Sequence, residues 1–163
     1  MKKQSPKKGF TIIEVVLVLA IAGLIFLMVF VALPALQRSQ RDTQRRDDMA
    51  RFMSQLTQYQ SNNNGNVPDT QDKWSNFVTN YLRVGGDAFE DPQTGEPYAA
   101  KKMDCASGNC SAPNSETISA NPNTNFIYNN ATCDGENPSY DSGKRKVAIL
   151  YKLEGSGTYC GHN

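Results

Sequence analysis

The sequence predicts an α+β fold, a long N-terminal helix followed by a small C-terminal head built on an antiparallel β-sheet, and three observations predict it. Residues 15–33 form an unbroken run of 19 apolar residues, VVLVLAIAGLIFLMVFVAL. Behind that run, Met49, Phe52, Met53, Leu56 and Tyr59 recur at helical spacing and make one apolar stripe. Near the other end, 145–153 (RKVAILYKL) is the best strand pattern in the chain, and Gly155-Ser156-Gly157 turns it into Thr158-Tyr159-Cys160 as a terminal hairpin. At 163 residues the chain has room for one modest domain with appendages, not for two full cores.

Taken in order, the first nine residues carry four lysines, Lys2, Lys3, Lys7 and Lys8, while the remainder holds 13 basic against 16 acidic residues, a net of −3. A mildly acidic body has no electrostatic footprint for nucleic acid. At about 1.5 Å per residue the apolar run spans roughly 28 Å, close to the hydrocarbon thickness of a bilayer. A cleavable secretory signal has a shorter apolar stretch and ends in a small-x-small site, for which Ala32 and Ala35 are not spaced. The run reads as a membrane helix. On its far flank, 37–48, Arg38, Arg41, Arg45 and Arg46 stand among Asp42, Asp47 and Asp48, a net of +1 against the +4 of the leader. The positive-inside rule therefore expects a cytoplasmic leader and a translocated C-terminal part. The flank itself reads as a solvated face, with salt bridges between subunits as the alternative.

Glu14 does not fit an ordinary anchor. A carboxylate at the start of an apolar helix is costly unless it is paired or sits at the interface. Taken alone it reads as a residue reaching back to headgroups or stabilising the helix N-terminus.

It does not stand alone, because the segment KKGFTIIEVVLVLAIAGLI closely resembles the N-terminal signature of type IV pilins and pseudopilins. The resemblance implies that a prepilin peptidase cuts after Gly9, that Phe10 becomes an N-methylated first residue, and that Glu14 of one subunit pairs with the Phe10 amine of a neighbour. In a low dielectric the unpaired alternatives are costly, which favours one axial register. Gly23 sits where such pilins place a mid-helix glycine. Pro34 falls somewhat later than their usual helix proline, and the stretch from Gly23 to Pro34 is expected to loosen when the subunit leaves the membrane. The implied plan is a cleaved leader 1–9, a transmembrane and polymerisation helix 10–36, an amphipathic half 37–62 that packs on the head, and the head itself, 63–163.

The implied function is that of a major structural subunit, a prepilin that forms a homo-oligomeric helical filament. The implied partners are a prepilin peptidase, an inner-membrane platform and a cytoplasmic assembly ATPase. The precursor would be a single-pass protein of the cytoplasmic membrane and the product an extracellular pilus. Such filaments serve adhesion, twitching motility or DNA uptake, and the residues do not choose among them. A pseudopilin of a type II secretion or competence system shares the same N-terminus. A single-pass anchored binding protein is the reading from a different class, and it leaves Gly9, Phe10 and Glu14 together without a reason.

Within the head, 62–68 (NNNGNVP) is a strong break, and a short helix follows over 71–82 with Trp74, Phe77, Val78, Tyr81 and Leu82 on one face. The stretch 85–136 is turn-rich, with one short strand over 126–129. The four cysteines, Cys105, Cys110, Cys133 and Cys160, all lie beyond the apolar run, an even count that suggests disulfides in an oxidising compartment. Zinc and free thiols are the alternatives, and the C-x4-C spacing is loose for zinc. Three connectivities are open. Closure of CASGNC on itself and return of Cys160 across the hairpin favour Cys105–Cys110 with Cys133–Cys160, the second bridge resembling the C-terminal cystine loop of many pilins. No catalytic set, phosphate loop or metal cluster is evident, and no cofactor is expected. The acidic stretch 87–91 leaves calcium as a remote alternative without an EF-hand's spacing. His162 reads as part of a frayed tail, and Asn109 and Asn130 head glycosylation sequons.

Overall fold

The computed structural model describes residues 9–106, 109–155 and 157–163, so that the leader lysines, residues 107 and 108 of the CASGNC loop and Ser156 of the expected hairpin turn lie outside it. The chain divides into two units, 1–37 and 38–163. Helix α1 (Ile12–Asn62) begins in the first and ends in the second. In the first unit α1 is assigned without a break through Gly23 and Pro34, even though proline removes one backbone donor from the ladder. It is long and apolar enough to cross a membrane, and none of its most apolar stretch is buried.

The second unit starts from the stripe on the later part of α1. Met49, Phe52 and Leu56 are buried, with Met53 and Tyr59 partly so. The helix ends at a tight turn in which Asn64 and Gly65 both take positive φ (56° and 79°) and the Gly65 amide donates to the Gln60 carbonyl at 2.7 Å. A side chain at Gly65 would run into the Arg145 guanidinium, 2.6 Å from an ideal Cβ. Thr70 caps α2 (Gln71–Phe77), and the expected helix over 71–82 continues as a π-turn, Val78–Leu82. The wider turn keeps Val78 and Leu82 both buried beside Trp74 and Phe77.

The main sheet contains β1 (Ala99–Met103), β4 (Thr124–Asn129), β7 (Val147–Lys152) and β8 (Thr158–His162), in the order β1-β4-β7-β8. Two small hairpins, β2 (Cys105–Ala106) with β3 (Asn109–Cys110) and β5 (Ala131–Asp134) with β6 (Asn137–Tyr140), and a short helix α3 (Ser115–Ala120) complete the head. Strand β7 carries Val147, Ile149 and Tyr151 into the core shared with α1 and α2, while Ala148 and Leu150 join Phe126, Tyr128 and Ile118 on the opposite side. Both faces of the sheet are covered, which explains why its best strand reads as a continuous apolar run rather than an alternation.

Three expectations need correction. The head's sheet is mixed, not antiparallel, because β1 runs parallel to β4. Residues 104–123 between them include the β2–β3 hairpin and α3, and a crossover of that length returns the chain in the same direction. His162 is not in a frayed tail but closes β8 opposite Ala148. Residues 37–48 are not a plain solvated face, since Arg45 is only 2% exposed.

Candidate functional site

The first site begins at Gly9. Among the described residues an added Cβ there meets nothing within 4 Å, and the same holds for Gly23 in mid-helix. Neither glycine answers a steric need of its own chain, although glycine inside a helix costs about 1 kcal/mol relative to alanine. Phe10 follows, 89% exposed.

Helix α1 then starts at Ile12, which makes Thr11 the N-cap and Glu14 the third helical residue. The Thr11 amide donates to Glu14 Oε2 at 2.8 Å, the Thr11 hydroxyl donates to the same oxygen at 2.7 Å, and the Glu14 amide reaches Thr11 Oγ1 at 3.4 Å. This is a reciprocal capping box. Phe10 and Val15 stand at the two positions of a hydrophobic staple and line one shallow hollow with Val18. Thr11 is the residue that sequence reading missed, although T-x-x-E ahead of an apolar run is its ordinary signal. Both bonds to the carboxylate fall on Oε2. A carboxylate has about four acceptor positions, so Glu14 can cap its own helix and still accept from a cation outside the chain.

Residues 4–30 match the family described as the prokaryotic N-terminal methylation motif. The chain carries that motif. The methylation motif and the long apolar helix that begins within it support the type IV pilin and pseudopilin class, without distinguishing a pilus subunit from a pseudopilin. By the same family relation the methylation motif indicates a structural subunit rather than an enzyme, and it implies prepilin peptidase processing and filament assembly in general. No curated protein and no solved structure matches the chain.

A second cluster lies wholly within the head unit and fixes how 41–51 of α1 hold its loops. Arg45 grips Asp91 with two bonds, Nε to Oδ2 at 2.7 Å and Nη2 to Oδ1 at 3.0 Å, and Nη2 also donates to Gln93 Oε1 at 3.1 Å. One turn earlier, Arg41 makes a two-pronged pair with Glu154 at 2.6 and 2.7 Å. Asp42 accepts from the Glu154 and Gly155 amides at 2.7 and 3.0 Å. Burial pushes the Asp91 carboxyl up, but Arg45 and the amides of Gln93 and Thr94 outweigh it and hold it below the ordinary value. Burial, assisted by Asp48 and Asp91, pushes the neighbouring Tyr98 phenol well above its usual range.

This cluster also bears on the acidic stretch 87–91. Asp87 pairs with Arg51 and accepts from the Phe89 amide, while Asp91 is taken by Arg45. Among the described residues no three His, Cys, Asp or Glu side chains come together to hold a metal.

The structure pairs Cys105 with Cys110 and Cys133 with Cys160, at Cα separations of 4.0 and 5.7 Å. The first closes the β2–β3 hairpin, and the second ties β5 to β8. The sequons fall in turns and hairpins: Asn130 takes φ 58° between β4 and β5, and the Asn109 side chain lies outside the described residues.

Proposed function

We propose that this chain is a prepilin, processed between Gly9 and Phe10 and polymerised through its N-terminal helix into an extracellular type IV pilus. One observation carries the reading. Every large apolar side chain in 10–36 is between 48% and 89% exposed, on a stretch that the methylation motif covers as far as residue 30. A continuous apolar surface of this kind needs lipid or copies of itself. Before cleavage Phe10 has an uncharged peptide nitrogen; afterwards it has a cationic amine. Glu14, with acceptor capacity left over from the capping box, is the partner for that amine on an adjacent subunit. The precursor sits in the cytoplasmic membrane with the lysine-rich leader inside, and a platform and ATPase drive assembly. Loosening between Gly23 and Pro34 belongs to the filament state.

Mass spectrometry of the N-terminal peptide from intact cells tests the first step, with a mature chain starting at methylated Phe10 as the expected result. Recovery of Lys2 or Lys3 peptides from most of the protein would overturn it. Long surface fibres that vanish on deletion are expected for a pilus, whereas a periplasmic assembly without fibres would make the chain a pseudopilin.

A further inference from the structure

A strand at the edge of a sheet presents unpaired backbone groups that invite a strand from another molecule. In this head the β8 edge lies beside β5, tied by Cys133–Cys160 and by the Cys133 amide donating to His162 Nδ1 at 3.3 Å. The β1 edge is treated differently. The Ala99 amide bonds the Asn123 carbonyl on the β4 side, so the backbone groups of Ala100 and Lys102 point outward.

Gln71, the first residue of α2, meets those outward groups. Its Nε2 donates to the Ala100 carbonyl at 2.6 Å, and its Oε1 accepts from the Lys102 amide at 2.8 Å. A carboxamide has the same donor and acceptor as a peptide group. Bridging the carbonyl of one residue and the amide two residues on is the bond pattern that a single residue of a parallel neighbour makes. The carbonyls on either side of this pair are also taken, which leaves the Ala100 amide and the Lys102 carbonyl as the outward groups that Gln71 does not itself bond. Arg83 Nη2 donates to the Tyr98 carbonyl at 3.0 Å, and the Ser111 hydroxyl donates to the Asp104 carbonyl at 3.0 Å.

We propose that Gln71 is an edge plug, a side chain standing where one residue of an added parallel strand would stand, which keeps the β1 edge from pairing with an extended segment of another copy of this chain. The proposal does not depend on the pilus reading, but crowded heads on a polymer would make such a guard most needed.

The side chain of Gln71 is exposed and sits at the first helical position, while the cap comes from Thr70. Replacing it therefore leaves α2 its start signal. The test uses the full chain in detergent micelles, with residue-resolved amide exchange and light scattering. In Gln71→Ala the Lys102 amide is expected to exchange roughly fivefold faster or more, the loss of about one hydrogen bond. The Lys101 and Met103 amides, on the β4 side, are expected to stay unchanged, and self-association to speed up. Gln71→Glu keeps an acceptor for the Lys102 amide and should keep it protected. Unchanged Lys102 exchange, equal acceleration at Lys101 and Met103, or a freed Lys102 without faster association would each overturn the proposal.

Discussion

The two units of this chain solve opposite problems. In 10–36 the large apolar side chains face outward and, within the chain, the one acidic side chain bonds the helix start. In 38–163 most large apolar residues are interior, with Phe52, Leu56, Trp74, Ile127 and Ile149 at 0% exposure, and even the charges of Arg45 and Asp91 are turned inward and matched. The contrast separates two kinds of constraint. Residues in the head answer to one another. Gly9, Gly23 and the apolar surface of α1 find no such internal reason among the described residues, and on the proposed reading their demands come from outside the chain: an enzyme, a bilayer or a second subunit.

If that division is right, substitutions in the first unit should change assembly and leave the head's stability alone, and the reverse should hold in the second. The largest effect is expected for Glu14→Ala. Insertion and processing proceed, but fibre yield falls by about tenfold or more, because an amine left unpaired among apolar helices is costly. The head's thermal midpoint should not move. Normal fibre yield from this variant would break the comparison at its most exposed point.

Next comes the buried pair. Asp91→Ala removes the closest partner of the buried Arg45, leaving its charge only the longer contacts to Asp42 and Glu154 at 3.4 and 3.5 Å, and is expected to destabilise the head by about 3–5 kcal/mol, read by chemical denaturation of the full chain in detergent. A loss below about 1 kcal/mol would mean that the pair behaves as a surface contact. Joint replacement of Cys133 and Cys160 by serine should cost slightly less, about 3–4 kcal/mol if unfolded-chain entropy dominates for their separation of 27 residues.

The pH dependence is smaller and has a definite sign. Asp91 is held below its ordinary value, so its contribution is fully present above the unfolded-state pKa of about 3.9 and is lost as pH falls through its lower folded value. Asp48 acts in the opposite sense. Burial raises its carboxyl, so its cost at neutral pH is relieved as pH drops through that raised value. Acid titration of wild type against Asp91→Asn isolates the contribution of Asp91, and the variant should show the flatter loss below about pH 4. The smallest effect is expected for Gly23→Ala, which nothing in the chain opposes sterically and which should stiffen the helix by about 0.5–1 kcal/mol. Impaired assembly in that variant would sharpen the role of loosening; unimpaired assembly would remove it.

How much of this was legible in the sequence followed from how local each signal was. The apolar run, the stripe from Met49 to Leu56 and the strand around Ile149 are patterns of neighbouring residues, and the long helix and the α+β class were readable from them. Strand β1 was not, because AAKKM has the composition of a helix and becomes a strand only by pairing with residues 124–128. Its parallel direction depended on that pairing too. The Arg45–Asp91 grip joins positions 46 apart, and no spacing rule singles out one aspartate among several at that range. At the N-terminus the situation was reversed. Gly9, Phe10 and Glu14 stood out as a motif, while Thr11, the residue that holds Glu14 in place, was legible and overlooked.

The order of strands in the head has a consequence for how the protein is made. Strand β7 lies between β4 and β8, yet it is next to last along the chain, after every residue of α1 has been synthesised. A ribosome delivers the apolar helix first and the centre of the sheet late, so the hydrophobic anchor reaches its surroundings while the head is still an open half-sheet. Until β7 is made, β1 and β4 lack the central strand that joins them to β8, and that interval leaves their apolar faces uncovered.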